Sequence, residues 1–380
     1  MKQSRLNIVA DENIPALERL FGDLGEIHKV SGRTMSHADV KHADLLLVRS
    51  VTQVNQQLLE NTPVRFVGTA TIGTDHIDTA WLAHQQIGFA SAPGCNADAV
   101  AEYVISNLLL VAGEQGFELT DKVVGIIGVG NVGRRLQQRL ERLGVPLLLN
   151  DPPRADAGEA GFVALTQLLQ EADIICLHTP LTIAGNHPSH HLLNAENLEL
   201  IRPAAVLLNA GRGPVIDNEA LLAWHERRTD VTLLLDVWEH EPRVNGQLAQ
   251  RVRIGTPHIA GYTLDGKIRG TWMLYQAFCQ HQGIDPAIRL SDCLAEVAVP
   301  QVQLQGTENL SDIVHAIYQP EADHQRFMAS LVDVAAQPLA FDQLRKHYPV
   351  RREFVAAQLC GEKPTGSLLA QLEAVGFVID

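Results

Sequence analysis

Short apolar runs recur along the chain, each closed by polar residues, glycine or proline. Leu6-Asn7-Ile8-Val9-Ala10, Leu45-Leu46-Leu47-Val48, Val64-Arg65-Phe66-Val67 and Gly88-Phe89-Ala90 form a first series. A second series lies at Val123 to Ile127, Leu147 to Leu149, Ile174 to Leu177, Ala205 to Leu208, Val231 to Leu235 and Val252 to Gly255. Runs this short and this uniformly apolar predict strands covered on both faces. The stretches between them carry helical spacing: Leu136, Leu140 and Leu143 stop at Gly144, and Val100, Tyr103, Val104 and Leu108 lead to Val111. Strands alternating with helices predict parallel sheets joined by crossovers, so the chain reads as α/β with two such sheets.

The pattern changes after Gly283-Ile284-Asp285-Pro286. Glu296-Val297-Ala298-Val299 and Gln301-Val302-Gln303-Leu304 nearly alternate around Pro300, as edge strands do, and 309 to 318, 323 to 337 and 365 to 375 read as helical. The expected architecture is two Rossmann-like parallel-sheet domains with a smaller C-terminal α+β domain. Residues 1–95 form the first domain, completed by 259–285 through the helix that carries Trp272, Leu274, Tyr275 and Phe278. Residues 96–258 form the second and 286–380 the third.

Gly128-Val129-Gly130-Asn131-Val132-Gly133 sits directly behind the strand ending at Ile127 and opens the next helix. In this G-x-G-x-x-G, Gly128 permits the tight turn, Gly130 lets backbone approach a pyrophosphate, and Gly133 lets the helix pack on the sheet. The helix then offers its unpaired N–H groups to phosphates. Asp151 falls 18 residues after Gly133, where a ribose diol is read, and it favours NAD over NADP because a carboxylate repels a 2'-phosphate. Arg154 is the opposing signal, since it is able to attract such a phosphate.

Other polar sets follow predicted strands: Arg49-Ser50, Gly68 to Thr74, Asn209-Ala210-Gly211-Arg212-Gly213, Asp236 to Pro242, and Thr256 to Tyr262. An arginine, a carboxylate and a histidine on neighbouring strand ends suit oxidation of a 2-hydroxy acid. Arg212 clamps the carboxylate and polarises the developing carbonyl, and His258 accepts the hydroxyl proton. Glu241 holds the other ring nitrogen, with Glu239 and His240 as its local competitors, and Asp236 contacts the cofactor end. The glycine and threonine loop at 68 to 74 exposes backbone donors for an anion or is simply a tight turn. Asp75-His76-Ile77-Asp78 and Gly185 to His191 carry metal-capable atoms, yet a polar surface loop explains the latter and hydride transfer needs no metal.

Charge narrows the partners. With 30 basic against 44 acidic side chains the formal net charge is −14, which disfavours nucleic acid. No apolar run has the length of a membrane span, the first residues lack a signal-peptide core, and five scattered cysteines without a C-x-x-C point to a reducing cytoplasm.

The glycine loop, Asn209 to Gly213, Asp236 to Pro242 and Thr256-Pro257-His258 together resemble the D-2-hydroxyacid dehydrogenase family across roughly residues 1 to 285. That resemblance implies Arg212, Glu241 and His258 as the catalytic set, with His258 the acid/base. Val48-Arg49-Ser50-Val51-Thr52, Gly68-Thr69-Ala70-Thr71, Ala92-Pro93-Gly94-Cys95-Asn96 and His258-Ile259-Ala260-Gly261-Tyr262 resemble a branch of that family acting on a phosphorylated hydroxy acid, and the likeness continues into the final 95 residues. It implies substrate contacts at Ser50, Thr71 and Tyr262, NAD contacts at Asp151, Thr179, Asp236 and Gly261, and a homodimer built largely through the C-terminal domain. Arg351-Arg352 is expected to reach a site across that dimer interface or to be a solvated basic pair. The alternatives are another NAD-dependent 2-hydroxyacid dehydrogenase, such as one using 3-phosphoglycerate, and an NAD-responsive interaction protein on the same fold.

Overall fold

The computed structural model describes residues 5–295 and 297–379. It comprises two compact units, Met1–Asn96 with Thr263–Ala298, and Ala97–Tyr262 with Val299–Asp380.

In the first unit, β1 (Leu6–Asp11), β2 (Gly25–Val30), β3 (Leu45–Val48), β4 (Phe66–Thr69) and β5 (Gly88–Ala90) form an all-parallel sheet ordered β2-β1-β3-β4-β5. This is the flavodoxin-like doubly wound order. Strand β2 is missing from the apolar series because it lies at the edge, where Glu26, His28 and Lys29 face water. Strand β4 starts at Phe66, two residues beyond the apolar run's start. The helix Leu264–Gln282 begins at Thr263, whose hydroxyl caps the Gly266 N–H, and ends at Gly283 with φ of 66°. It buries Leu274, Tyr275 and Phe278 against Ile8, Leu45, Leu47 and Phe66. Each such buried side chain contributes about 1.5–3 kcal/mol.

In the second unit, β6 (Val124–Ile127), β7 (Leu147–Asn150), β8 (Ile174–Leu177), β9 (Val206–Asn209), β10 (Thr232–Leu235) and β11 (Ile254–Gly255) are parallel in the order β11-β10-β9-β8-β6-β7. The helix Ala97–Gln115 buries Val104, Leu108 and Val111 with Val124, Ile126 and Ile174, while Leu168, Trp224 and Trp238 join Ile175, Leu207 and Leu233 in a second core cluster. Chain order reverses between β6 and β8. Sheets of this class bind ligands beyond the carboxyl ends at such a reversal.

The C-terminal region is α+β: β12 (Gln301–Leu304) pairs in parallel with β13 (Gln358–Gly361), and helices Leu310–Ile317, Pro320–Ser330, Gln337–Lys346 and Gly366–Val375 make up the rest. Of the alternating stretch around Pro300, Glu296 lies outside the described residues; the strand forms where Val302 and Leu304 are buried and Gln301 and Gln303 exposed. Val302, Val314, Phe354 and Leu372 share one core cluster with Val104, Leu108 and Leu136. This region therefore packs directly on helices that cover the six-stranded sheet. A buried polar tie reinforces the junction: Arg139 donates to Asp98 at 2.7 Å and to Glu102 at 3.4 Å, and the Phe354 N–H donates to Glu102 at 3.0 Å. Among the described residues, no helix is long and apolar enough to cross a membrane.

Candidate active site

At the β6/β8 reversal, the glycine loop has the geometry its sequence demands. Gly128 has φ of 86°, and a Cβ there would meet the Thr179 nitrogen at 2.7 Å. A Cβ on Gly133 would meet the Gly128 carbonyl oxygen at 2.1 Å, so only glycine lets the helix Asn131–Arg142 approach its loop. A Cβ on Gly130 would meet open space, and Asn131 and Val132 begin the helix beside it. Asp151 closes the loop by accepting from the Val129 N–H at 2.8 Å. Arg154 is turned to Glu159, bonded through Nε at 3.0 Å, and to the Val129 carbonyl at 2.7 Å. Its charge is thus already paired beside Asp151.

Across the reversal, both ring nitrogens of His178 and the hydroxyl of Thr179 are buried without a partner. Burial holds the His178 pKa down at about 4, so the ring is neutral. Orphaned buried donors are costly, and a bound polar ligand satisfies them. With the glycine cradle, these unmet groups fit a dinucleotide.

The other half of the same sheet is charged and fully braced. Beyond β10, Asp236 is buried; its carboxylate accepts from the Thr256 hydroxyl at 2.6 Å, the Ile259 N–H at 2.7 Å and the Ala260 N–H at 3.0 Å. The His258 N–H donates to the Asp236 carbonyl at 2.7 Å. These bonds hold His258 at φ of 57°, a left-handed conformation that costs a non-glycine residue about 1–3 kcal/mol. The Asp236 side chain thus struts the histidine loop from beneath, and Gly261, the other residue expected at the cofactor, follows the residues it holds. Burial raises the Asp236 pKa from the ordinary value, opposed by His258, the Thr256 hydroxyl and the two amides.

Supported in this way, His258 Nδ1 meets Glu241 Oε1 at 2.5 Å. Glu241 also accepts from the Trp238 N–H at 3.3 Å. Burial acts to raise its pKa, but the His258 charge and hydrogen bond, with Arg345 and the amide, bring it below the ordinary value. The competitors are placed elsewhere: Glu239 pairs with His191 at 2.5 Å and accepts from the Asn218 N–H at 2.9 Å, and His240 is exposed.

Beyond β9, Asn209 holds the arginine loop, accepting from Gly211 N–H at 3.0 Å and donating to the Arg212 carbonyl at 3.0 Å. A Cβ on Gly213 would lie 2.0 Å from the Trp238 carbonyl. Glycine therefore lets the Arg212 loop lie directly against the Trp238 to Glu241 segment.

The metal-capable loop meets the same region. Ligand atoms of His190, His191 and Glu239 lie within 4.8 Å of one another, but the two imidazoles are stacked with centroids 4.0 Å apart. His187 pairs with Asp156 at 2.7 Å.

In the first unit, Ser50 is exposed just past β3, and Arg49 Nε lies 3.9 Å from buried Asp11. Thr71 belongs to a hydroxyl chain: its Oγ1 is 2.8 Å from Thr69 Oγ1, which is 2.9 Å from His76 Nε2. Burial lowers the His76 pKa to about 4, so this imidazole braces the loop as a neutral group. Asp78 caps the helix Thr79–His84.

Two arginines of the C-terminal region complete the surroundings, the second of them without a signal in the sequence. Arg351 is buried in its own chain, donating to the Ala260 and Ala99 carbonyls and lying 4.6 Å over the Tyr318 ring. That placement corrects the expectation of a solvated basic pair: Arg351 and Arg352 are both buried, and Nη1 of Arg351 is left without a partner. The second is Arg345, whose guanidinium carbon is 5.4 Å from the Tyr262 ring centroid. A cavity of about 480 Å³ lies alongside, lined by Pro257, Arg326, Leu344 and Tyr348 among others.

Residues 110–260 match the NAD-binding domain of D-isomer specific 2-hydroxyacid dehydrogenases, and residues 293–376 match a domain of unknown function, DUF3410. The erythronate-4-phosphate dehydrogenase of Edwardsiella ictaluri (strain 93-146) is 50% identical over 377 residues, covering 98% of this chain and 99% of its own. The chain belongs to the D-2-hydroxyacid dehydrogenase family. The erythronate-4-phosphate dehydrogenase of Proteus mirabilis (strain HI4320) is 48% identical over 376 residues, with 98% and 99% covered. Among solved structures, NAD+-bound 3-phosphoglycerate dehydrogenase from Entamoeba histolytica shares the fold with a TM-score of 0.63 at 23% identity, covering 74% of this chain and 96% of that one. D-lactate dehydrogenase from Aquifex aeolicus, complexed with NAD and lactic acid, has a TM-score of 0.59 at 23% identity, with 73% and 96% covered. Family membership makes the chain an NAD-dependent dehydrogenase, in keeping with the fit of its glycine loop to a dinucleotide.

Proposed function

We propose that this dehydrogenase oxidises 4-phospho-D-erythronate to (R)-3-hydroxy-2-oxo-4-phosphooxybutanoate in pyridoxal 5'-phosphate biosynthesis. The substrate follows from near full-length similarity to erythronate-4-phosphate dehydrogenases. The observation that carries the chemistry is the His258–Glu241 pair at 2.5 Å on a loop strutted by Asp236.

NAD, when bound, supplies the hydride acceptor. Gly128, Gly130, Asn131, Val132 and Gly133 cradle its phosphates, and Thr179, Asp236 and Gly261 line its path. Asp151 binds the ribose diol and selects NAD, because Arg154 is spent on Glu159. Arg212 binds the substrate carboxylate and polarises the carbonyl that forms. Ser50, Thr71 and Tyr262 contact substrate. Since Nδ1 of His258 is held by Glu241, Nε2 takes the hydroxyl proton, and the carboxylate of Glu241 stabilises the imidazolium.

A second copy of the chain covers the apolar side chains Val332, Val334, Leu339, Val350 and Val355 of the C-terminal region, all exposed here. The five free cysteines suit the cytoplasm, and the acidic charge opposes nucleic-acid partners. Turnover of 4-phospho-D-erythronate, 3-phosphoglycerate and unphosphorylated 2-hydroxy acids with NAD is the decisive measurement. The first is expected to have the highest kcat/KM; preference for either of the others overturns the substrate assignment.

A further inference from the structure

The substrate proposed above carries two anionic groups, and Arg212 accounts for one. A second cation stands at the dyad, contributed by the C-terminal region. Arg345 lies near the end of the helix Gln337–Lys346, its guanidinium carbon 5.4 Å from the centroid of Tyr262 and 6.0 Å from that of Phe341. It donates to the Tyr262 hydroxyl and shares an electrostatic interaction with Glu241, the partner of His258. Tyr262 is held in turn by an edge-on contact with Tyr348 at 5.9 Å. The Arg345 Nε–H is buried with no partner. Of the other arginines in this region, Arg326 pairs with Asp323 at 2.5 Å, and Arg351 donates through Nη2 to backbone carbonyls while its own Nη1 is buried without a partner.

We propose that Arg345 is the specificity-determining residue of the reaction, binding the substrate's phosphate while Arg212 binds its carboxylate. This rests on the assignment of a phosphorylated 2-hydroxy acid. Three physical features suit the role. A planar guanidinium binds phosphate oxygens through parallel N–H donors, which a lysine does not reproduce. Cation–π proximity to two aromatic rings, with the hydrogen bond to Tyr262, orders that fork before substrate arrives and reduces the entropy lost on binding. An unmet buried donor is costly, and an anion at the guanidinium relieves that cost.

The test compares Arg345→Gln and Arg345→Lys with the parent enzyme on 4-phospho-D-erythronate and on unphosphorylated D-erythronate. For Arg345→Gln, kcat/KM for the phosphorylated acid is expected to fall about 10- to 100-fold, chiefly through KM, while the unphosphorylated acid changes less than about twofold. The lysine variant recovers part of the loss. Inorganic phosphate, a competitive inhibitor of the parent enzyme on this reading, loses its effect in Arg345→Gln. NAD affinity and melting temperature, both unchanged, exclude misfolding. Equal losses on both acids, or no loss on either, overturn the proposal. If the parent enzyme prefers a different phosphorylated acid, the same ratio is read with that acid and its unphosphorylated counterpart, so the substrate assignment fails without deciding the role of Arg345.

Discussion

One sheet carries two kinds of strand end. At β6 and β8 the groups are neutral or backbone, and the ring nitrogens of His178 and the hydroxyl of Thr179 are buried without partners. At β9, β10 and β11 the groups are charged, and Asn209, Asp236 and Glu241 are each bonded to the loops they serve. Unsatisfied groups are what a binding surface retains, because its partners arrive with the ligand. A catalytic set is braced in advance, since reorganisation at the moment of reaction raises the barrier.

That contrast is sharpest at His258. Replacing it with Asn removes the proton acceptor and is expected to lower kcat about 10³-fold while leaving NAD affinity unchanged by fluorescence titration. Comparable loss of NAD affinity would erase the distinction between the two halves. Asp236→Ala removes the acceptor for the Thr256 hydroxyl and two amides, so the left-handed His258 backbone loses its support. A fall in kcat of about 10²-fold is expected, with a lower melting temperature. Full activity with normal stability would show that the loop does not depend on its strut. On the binding side, Thr179→Val is expected to weaken NAD about 3- to 10-fold and leave kcat at saturating NAD intact. A kcat effect larger than the affinity effect would place Thr179 with the catalytic half.

The smallest expected effect lies at the junction with the C-terminal region. Burial pushes the Glu102 carboxyl from 4.5 up to about 8, against the lowering influence of Arg139 and Arg351 and with the raising influence of Glu353. The folded state thus keeps a proton that the unfolded chain releases, and this contribution to stability declines as pH rises from about 4.5 through about 8. Glu102→Gln is expected to remove that slope. Relative to the parent protein, its melting temperature rises steadily between pH 5 and pH 9. An unchanged difference across that range would mean Glu102 is ionised throughout.

Much of this organisation was legible in the sequence because it is local. The runs at 45 to 48 and 174 to 177 coincide with β3 and β8, and the glycine loop with its helix. Strand β2 was not, because an edge strand meets water and alternates charged residues instead of showing an apolar run. Glu239 and Glu241 are equivalent by spacing; only folding gives the first to His191 and the second to His258. Arg345 carries no local signal at all. It sits in the helix Gln337–Lys346, 83 residues beyond Tyr262, and its role exists only where the two segments meet.

The sequence by itself determined the repeated strands and helices, the glycine turn and the residue types available for acid/base work, since periodicity and backbone sterics act over a few residues. Tertiary structure decided which carboxylate serves His258, that Asp236 supports the loop from below, and that Arg351 is buried while Arg345 faces Tyr262. Those outcomes depend on desolvation and charge pairing between distant segments, and neither quantity exists until the chain has packed.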